Sequence, residues 1–355
     1  MLFATEALFK QHFPKVKLCV LGHPPPAMKR MFGKTFAQLP YGRTLLYKLH
    51  FRKMKKTVDK ANALILGSGG FLYDSASRTV EKDLRLILHA QEKHEPTMIY
   101  AVGVTSLRHE KSKQLVRQAI NNANYVSCRD PASANRIKSL SVNAFVHATA
   151  DPAIIAPKIL GFRPKEKQFP NNPKICVSLR NRFVSFQLFK TLSKLLKVLV
   201  ERYNAKIVLV PLRATWFDDD RIPLKQLFKQ LESVKHNISF FERRPSVEQF
   251  TRMMEDMSVV IGMKLHSVIF ATSMGVPTIA LSYKQDVTDF MSYVKQEQYA
   301  ISLTQACNFA YMLGKMENLI DSYSSVSRQL LANVEIISKK IAFDIKGVES
   351  LLEAC

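Results

Sequence analysis

Residues 258–283, SVVIGMKLHSVIFATSMGVPTIALSY, restrict the fold more than any other stretch of the chain. A short apolar run over 258–261 reaches Gly262, a helical run follows from about His266 to Met274, Gly275 stops it, and Pro277 opens a second apolar run. Gly just past a helix and Pro soon after it are stop signals. Two apolar strands joined by a helix close as a parallel pair with the helix on one face. The turn puts Lys264 and His266 at a helix N-terminus, where backbone N–H groups and the macrodipole favour an anion. A histidine in such a place is a cap or core residue in many proteins and a catalyst in others.

The same alternation, in units of about thirty residues as in a βαβ repeat, runs through most of the chain. Residues 2–13 read as a helix feeding a strand over 16–21, closed by Gly22. Residues 61–74, ANALILGSGGFLYD, are an apolar strand running into Gly67, Gly69 and Gly70. These glycines let backbone approach a ligand or make a tight strand–helix turn. The third glycine of a dinucleotide fingerprint is missing. Asp74 follows as an N-cap or as a side chain facing a cleft. Helix 80–91, strand 97–102, helix 112–121 and strand 124–128 lead to Arg129 and Asp130, an ionic pair capping the next helix, and then to strand 144–147. Residues 1–156 are thus expected to form one doubly wound α/β domain, with residues 157–173, rich in Pro, Asn and Lys, as the linker.

A second such domain is expected over 174–318. Its elements are strand 174–179, helix 187–203, strand 206–211, helix 221–232, strand 237–241 and a helix opened by a Ser246/Gln249 capping box. The strand pair of 258–283 belongs mid-sheet. Residues 319–355 read as a helical tail returning over the first domain. Arg180 closes the first strand of the second domain, and ligands of open α/β sheets sit outside the carboxyl ends of strands. Asp218, Asp219 and Asp220 are able to ligate a divalent metal, but they stand directly before a helix, where acids cap and complement the dipole; capping is the preferred reading.

Charge narrows the partners. The chain carries 52 Lys+Arg against 29 Asp+Glu, a formal net charge of +23, and its 47% hydrophobic content excludes a disordered protein. Such a field attracts nucleic acid, an anionic membrane face or phosphorylated small molecules. The tract from Tyr41 to Lys60 interleaves rings with Lys and Arg, as a solvated helix face or as a peripheral contact with anionic headgroups. No reading motif accompanies it, so nucleic acid is not an expected partner. The five cysteines (Cys19, Cys128, Cys176, Cys307, Cys355) form no CxxC pair, and buried free thiols in a reducing compartment are expected. With no apolar run of spanning length and no signal peptide, the expected location is cytoplasmic, either free or peripheral on the inner face of the membrane.

ILGSGGFLYD, VSCRDPAS, TADPA, ICVSLR and VVIGMKLHSVIFATSMGVPTIALSY, in that order and spacing, resemble the polysaccharide pyruvyl transferase family from near the start to about Tyr293. The resemblance implies two Rossmann-like domains in a GT-B-like arrangement, with the site in the cleft between them. It implies transfer of a pyruvyl group from phosphoenolpyruvate to a sugar of a cell-surface polysaccharide or its lipid-linked precursor. The product is a cyclic ketal and phosphate is released; no cofactor is expected, and no residue is singled out as a metal ligand. The family's Arg/Lys-Leu-His motif falls on Lys264, Leu265 and His266, its strand-end arginine on Arg180, and its Gly-rich loop on Gly69 and Gly70 with Asp74 beyond.

Two features depart from the family. Lys264 stands where Arg is usual and meets a phosphate as a point charge rather than a fork. Residues 1–13 read as the helix after the family's opening strand and Asn-x-Gly-Asp loop, so that strand and loop are expected to be missing. The implied chemistry needs a general acid, a general base and an anion clamp. Arg180, Lys264 and the helix N-terminus at Ser267 are expected to clamp the donor, with Arg129 as a further substrate contact. His266 is expected to exchange the proton and Asp74 to accept one from a hydroxyl. A nucleotide-sugar glycosyltransferase would share this architecture, as would a non-catalytic homologue binding glycan or anionic membrane.

Overall fold

The expectation of parallel strands is met twice. A computed structural model of the chain describes residues 2–22, 36–38, 45–74, 80–215 and 218–355. The chain divides into two units, Met1–Pro152 with Lys340–Cys355, and Ala153–Lys339.

In the first unit, β1 (Val20–Gly22) and β2 (Phe36–Gln38) pair as a separate parallel ladder. The main sheet takes β3 (Leu64–Leu72), β4 (Thr97–Val104), β5 (Tyr125–Cys128) and β6 (His147–Ala148), all parallel and in that order. Helices Glu81–Glu92, Glu110–Asn121 and Pro131–Lys138 carry the chain between strands, as parallel pairing requires. Their apolar stripes, with Leu84, Ile87, Val116 and Ile120, close over Ile99 and Val102 of β4 without exposure. The GSGG run does not make the expected turn, because residues 67–70 continue β3 and the register slips only between Gly69 and Leu72. Ser68 at φ +29° sits just ahead of that slip, and β4 answers with a slip around Ala101 at φ +46°. A Cβ on Gly67 would lie 3.1 Å from the Tyr100 ring, so this glycine serves packing inside an irregular strand.

The second unit contains β7 (Lys174–Ser178), β8 (Lys206–Leu209), a short antiparallel pair β9 (Ala214–Thr215) and β10 (Asp218–Asp219), then β11 (Ile238–Phe240), β12 (Val259–Gly262), β13 (Thr278–Ser282) and β14 (Ala300–Ser302). Six of them form an all-parallel sheet in the order β11-β8-β7-β12-β13-β14. Counted from β7, that order is 3-2-1-4-5-6, the doubly wound arrangement, and it reverses between β7 and β12. Helix Phe186–Tyr203 buries its predicted stripe of Leu188, Leu192, Leu195 and Leu199, and helix Val247–Asp256 opens with the predicted Ser246/Gln249 capping box.

Two boundaries differ from expectation. Residues 157–173 lie inside the second unit. Lys167 there donates to the carbonyls of Met254, Glu255 and Met257, and Phe169 meets Tyr203 and Tyr323 edge-on. Long side chains anchor a segment whose composition reads as linker. The tail also divides: helices Phe309–Asp321 and Tyr323–Lys339 stay with the second unit and only Ile341–Glu353 joins the first. Of the cysteines, Cys128 and Cys176 are buried free thiols, whereas Cys19 and Cys355 are exposed.

The returning helix packs on β4 and β5. Gly347 makes room for the Tyr125 ring, which a Cβ would meet at 2.6 Å. Tyr125 donates to the buried carboxylate of Asp344 at 3.4 Å, with Ser127 and Thr149 as further hydrogen-bond partners. Burial pushes the Asp344 carboxyl up to about 7, against the pull of those bonds. Native protein therefore holds this proton more tightly than the unfolded chain. Its contribution is fully present below about pH 4 and is lost as pH rises through about 7. Asp344→Asn is expected to flatten that segment of the stability profile, read from urea midpoints; parallel curves for wild type and variant would refute the assignment.

Candidate functional site

Reversal of strand order sets the carboxyl ends of β7 and β12 side by side, where open α/β sheets bind ligands. The Met263 N–H donates to the Ser178 carbonyl at 2.9 Å, and the Arg180 N–H to the Met263 sulfur at 3.3 Å. Arg180 leaves one of these tied strand ends and Lys264 the other. The turn needs Gly262, because a Cβ there would lie 2.7 Å from the Ser267 Oγ. Lys264 then occupies the N-cap of helix Leu265–Ser273, and Gly275 at φ +70° follows its end.

The Arg180 guanidinium lies 5.3 Å from the Phe183 ring centroid and 4.9 Å from that of Tyr283, and donates to the Tyr283 hydroxyl at 2.5 Å. Ring faces attract a guanidinium and hold its plane. Asp218 lies 3.6 Å from Arg180 and 3.2 Å from Arg213. Asp220 holds the Lys264 ammonium at 2.6 Å, and the same oxygen accepts from the N–H groups of Leu212 at 3.1 Å and Arg213 at 2.7 Å. Asp218 is 3% exposed and Asp220 0%. Burial pushes the Asp220 carboxyl up and the Lys264 ammonium down, while each partner pulls the other back.

The three aspartates thus do not serve the helix as expected. Asp220 sits at the N-cap of helix Arg221–Gln230 with no side-chain cap bond, and only Asp219 reaches the helix start, accepting from the Arg221 N–H at 3.0 Å and its guanidinium at 2.6 Å. Leaving a buried charge unpaired costs on the order of 3–5 kcal/mol, against about 1 kcal/mol for a lost cap. The heavier of these two penalties turns two carboxylates inward. Among the described residues, no group of three or more His, Cys, Asp or Glu is placed to hold a metal ion.

His266 stands half-buried in the first turn of its helix, on the same turn as Lys264. Leu265 packs into the core. Ser267 is buried, and its N–H and hydroxyl both return to the Lys264 carbonyl, at 2.9 and 2.6 Å. It closes the turn, so the donors expected to clamp a ligand at this residue are already used.

Gly69, Gly70, Asp74 and Arg129 belong to the first unit. A Cβ on Gly70 would meet nothing within 4 Å. Asp74 caps a helix, though not the next one. Its carboxylate accepts from the Arg108 and His109 N–H groups at 2.9 and 3.1 Å and from the Ser112 hydroxyl at 2.8 Å, at the start of Glu110–Asn121. Burial works to raise its carboxyl, but these bonds together hold it below the ordinary range. These donors occupy the Asp74 carboxylate that the sequence offered as an acceptor for a hydroxyl proton. Arg129 is 5% exposed, lies 3.4 Å from Asp130 and 3.9 Å from Asp151, and covers Gly103, whose added Cβ would come 2.5 Å from the guanidinium carbon. It is a packed internal ion, not a surface for substrate. Asp130 caps helix Pro131–Lys138 as expected, accepting from the Ser133 N–H at 2.6 Å.

The family model described as polysaccharide pyruvyl transferase matches residues 1–285, and so takes in Arg180, Lys264 and His266. The chain belongs to the polysaccharide pyruvyl transferase family. No curated protein matches the sequence. Among solved structures, a Listeria monocytogenes protein assigned as UDP-N-acetylglucosamine 2-epimerase is similar at a TM-score of 0.70 and 10% identity, over 99% of this chain and 93% of that one. The Neisseria meningitidis UDP-GlcNAc 2-epimerase, solved with UDP-GlcNAc, gives 0.64 at 14% identity over 98% and 96% of the two chains. A Siraitia grosvenorii ugt transferase in complex with UDP gives 0.60 at 11% identity over 99% and 96%. At such identities the likeness shows the fold, two Rossmann-like α/β units of the GT-B class.

Within this family member, sequence reasoning singled out Arg180, Lys264 and His266, passed over Arg213 and Tyr283, and gave Asp218 and Asp220 to the helix rather than to their ion pairs. The available signal was position: Arg213 and the aspartates follow β8, and Tyr283 follows β13, each at a carboxyl end of the sheet that holds Arg180 and Lys264.

The Asp74 assignment has a direct test. Its stabilising contribution is present above the unfolded pKa, near 3.8, and is lost as pH falls through the lower native value. Asp74→Ala is expected to cost about 1–2 kcal/mol of stability at neutral pH, to flatten the acid limb of the melting profile, and to leave turnover per folded molecule near the wild-type rate. A large loss of kcat in folded variant would return Asp74 to the chemistry.

Proposed function

We propose that this protein transfers a pyruvyl group from phosphoenolpyruvate to a sugar of a cell-surface polysaccharide or its lipid-linked precursor, closing a cyclic ketal and releasing phosphate. The observation that carries this reading is the gathering of Arg180, Arg213 and Lys264 about Asp218 and Asp220 at the carboxyl ends of the strands, with Lys264 on the turn that bears His266, in a chain of this family. Phosphoenolpyruvate brings a phosphate and a carboxylate in one small molecule. A guanidinium fork suits either group, and an ammonium suits phosphate as a point charge.

In this reading Arg180, Arg213 and Lys264 hold the donor, with the N-terminus of helix Leu265–Ser273 supporting its negative charge. Protonation of the terminal methylene carbon draws the double-bond electrons into a new C–H bond and leaves positive charge on the carbon that carries the phosphate ester. A sugar hydroxyl attacks that carbon and gives up its proton. The C–O bond to phosphate then breaks, and a second hydroxyl closes the ring. His266 is the group assigned to move these protons. A cytoplasmic, membrane-peripheral station also belongs to the proposal. What supports it is helix Leu45–Val58, which buries Met54 and Val58 and leaves Arg52, Lys53 and Lys56 exposed. Tyr41 and Arg43 of the same tract lie outside the described residues. Among the described residues no helix is long and apolar enough to cross a membrane.

A thermal-shift screen separates this donor from a nucleotide. Phosphoenolpyruvate at about 100 times its Kd is expected to add about 2.7 kcal/mol of stability, and His266→Ala to lower kcat for phosphate release by about 10²–10⁴-fold while still melting cooperatively. Stabilisation by UDP with no response to phosphoenolpyruvate, or a near-native rate in His266→Ala, would overturn the assignment.

A further inference from the structure

Lys264 is not waiting for a ligand; it is already held. Asp220 places Oδ2 on the Lys264 ammonium and on two backbone N–H groups, while its buried Oδ1 has no hydrogen-bond partner among the described residues. Asp218 repeats the pattern, with Oδ2 between Arg180 and Arg213 and Oδ1 buried and unpartnered. Arg180 Nε and Ser178 Oγ are likewise buried without a hydrogen-bond partner among the described residues. Orphaned polar atoms are uncommon in protein interiors, and here they collect on the strand ends where an anion is to bind. An anion that takes Lys264 has to take it from Asp220.

We propose that anion binding at Lys264 is coupled to proton uptake by Asp220. The ligand captures the ammonium, and the carboxylate left behind takes a proton from solvent on Oδ1. One O–H bond forms, no covalent bond to the ligand changes, and the Lys264–Asp220 ion pair is exchanged for one between Lys264 and the ligand. The inference rests on the anion site of the donor reading, but not on which anion fills it.

Electrostatics favour this outcome. Asp220 is faced by Lys264 from the turn after β12, by Asp218 from β10, and by the backbone of Leu212 and Arg213; behind Lys264 stands Arg180, and behind Arg180 the Tyr283 hydroxyl and Asp286. Lys264 is the side chain whose charge balances Asp220, and Asp218 opposes a second buried negative charge. Even with Lys264 in place, burial holds the Asp220 carboxyl above its ordinary range. Once the ammonium turns to a ligand, the wholly buried carboxylate keeps only two backbone donors, and protonation becomes the lower-energy state. Uptake also raises the positive excess of Arg180, Arg213 and Lys264 over the two carboxylates by a unit, toward the charge of a dianion.

Isothermal titration of the full chain with sulfate, a dianion with no titration of its own near neutrality, in buffers of differing ionisation enthalpy, counts the protons directly. The expected result at about pH 7 is an uptake approaching about one proton per site, with affinity falling by up to about tenfold per pH unit as pH rises. That uptake should vanish in Asp220→Asn and persist in His266→Gln. Should Asp220→Asn fold poorly, Lys264→Met serves instead: Asp220 is then protonated beforehand, and sulfate bound at Arg180 and Arg213 takes up no proton. Binding without uptake in the wild type, uptake lost in His266→Gln but kept in Asp220→Asn or Lys264→Met, or no sulfate binding at all would overturn the proposal. Phosphoenolpyruvate separates the two readings. Its turnover in a protein that binds sulfate without uptake sinks this inference alone, and coupled sulfate uptake with no phosphoenolpyruvate binding sinks the donor reading alone.

Discussion

Fixed positive charge can stand at the ends of buried strands only if something in the fold balances it. Asp218 and Asp220 are that balance here, and much of the second unit's local architecture is organised to deliver them. The short β9–β10 pair stands apart from the main sheet and turns the chain so that one carboxylate meets Arg180 and Arg213 and the next but one meets Lys264. On the other side, the Phe183 and Tyr283 rings keep the Arg180 guanidinium in a single orientation. The tight Gly262 turn sets Lys264 within reach. Removing either carboxylate would leave a cation in a place that water reaches poorly, so charge placement and local fold cannot be altered separately.

The two units apply the same strand-end chemistry differently. Arg129, Asp130 and Asp151 in the first unit also gather after parallel strands, yet Arg129 is 5% exposed and pressed onto Gly103. Arg180 and Lys264 keep 19% and 13% of their side-chain surface. A sealed ion cluster fixes a loop; a partly open one can exchange partners. That difference in access, rather than residue type, separates Arg129 from Arg180.

The pattern of apolar runs and stop residues made the parallel sheets, the central place of β12 and β13 and the helix caps at Asp130 and Ser246 legible in advance, because these depend on local spacing. Lys264 and His266 were legible for the same reason, as both sit on one turn. What remained hidden depends on tertiary partners. Asp74 looks like any acid after a glycine run until the Arg108–His109 backbone arrives to claim it. Residues 157–173 look like a linker until Lys167 finds a ring of carbonyls. The GSGG run looks like a loop because glycine's permissiveness says nothing about whether a neighbouring strand will pair with it.

The helix Ile341–Glu353 supplies the first unit with Asp344 and with the Gly347 face that receives Tyr125, although the whole second unit is encoded between them. During vectorial synthesis the ribosome therefore finishes the first sheet long before it makes the piece that covers β4 and β5. Until then β4 and β5 lack the packing that Ile341–Glu353 gives them, and apolar surface exposed during folding is prone to aggregate. The order of the message thus ties maturation of the opening half to completion of the closing one.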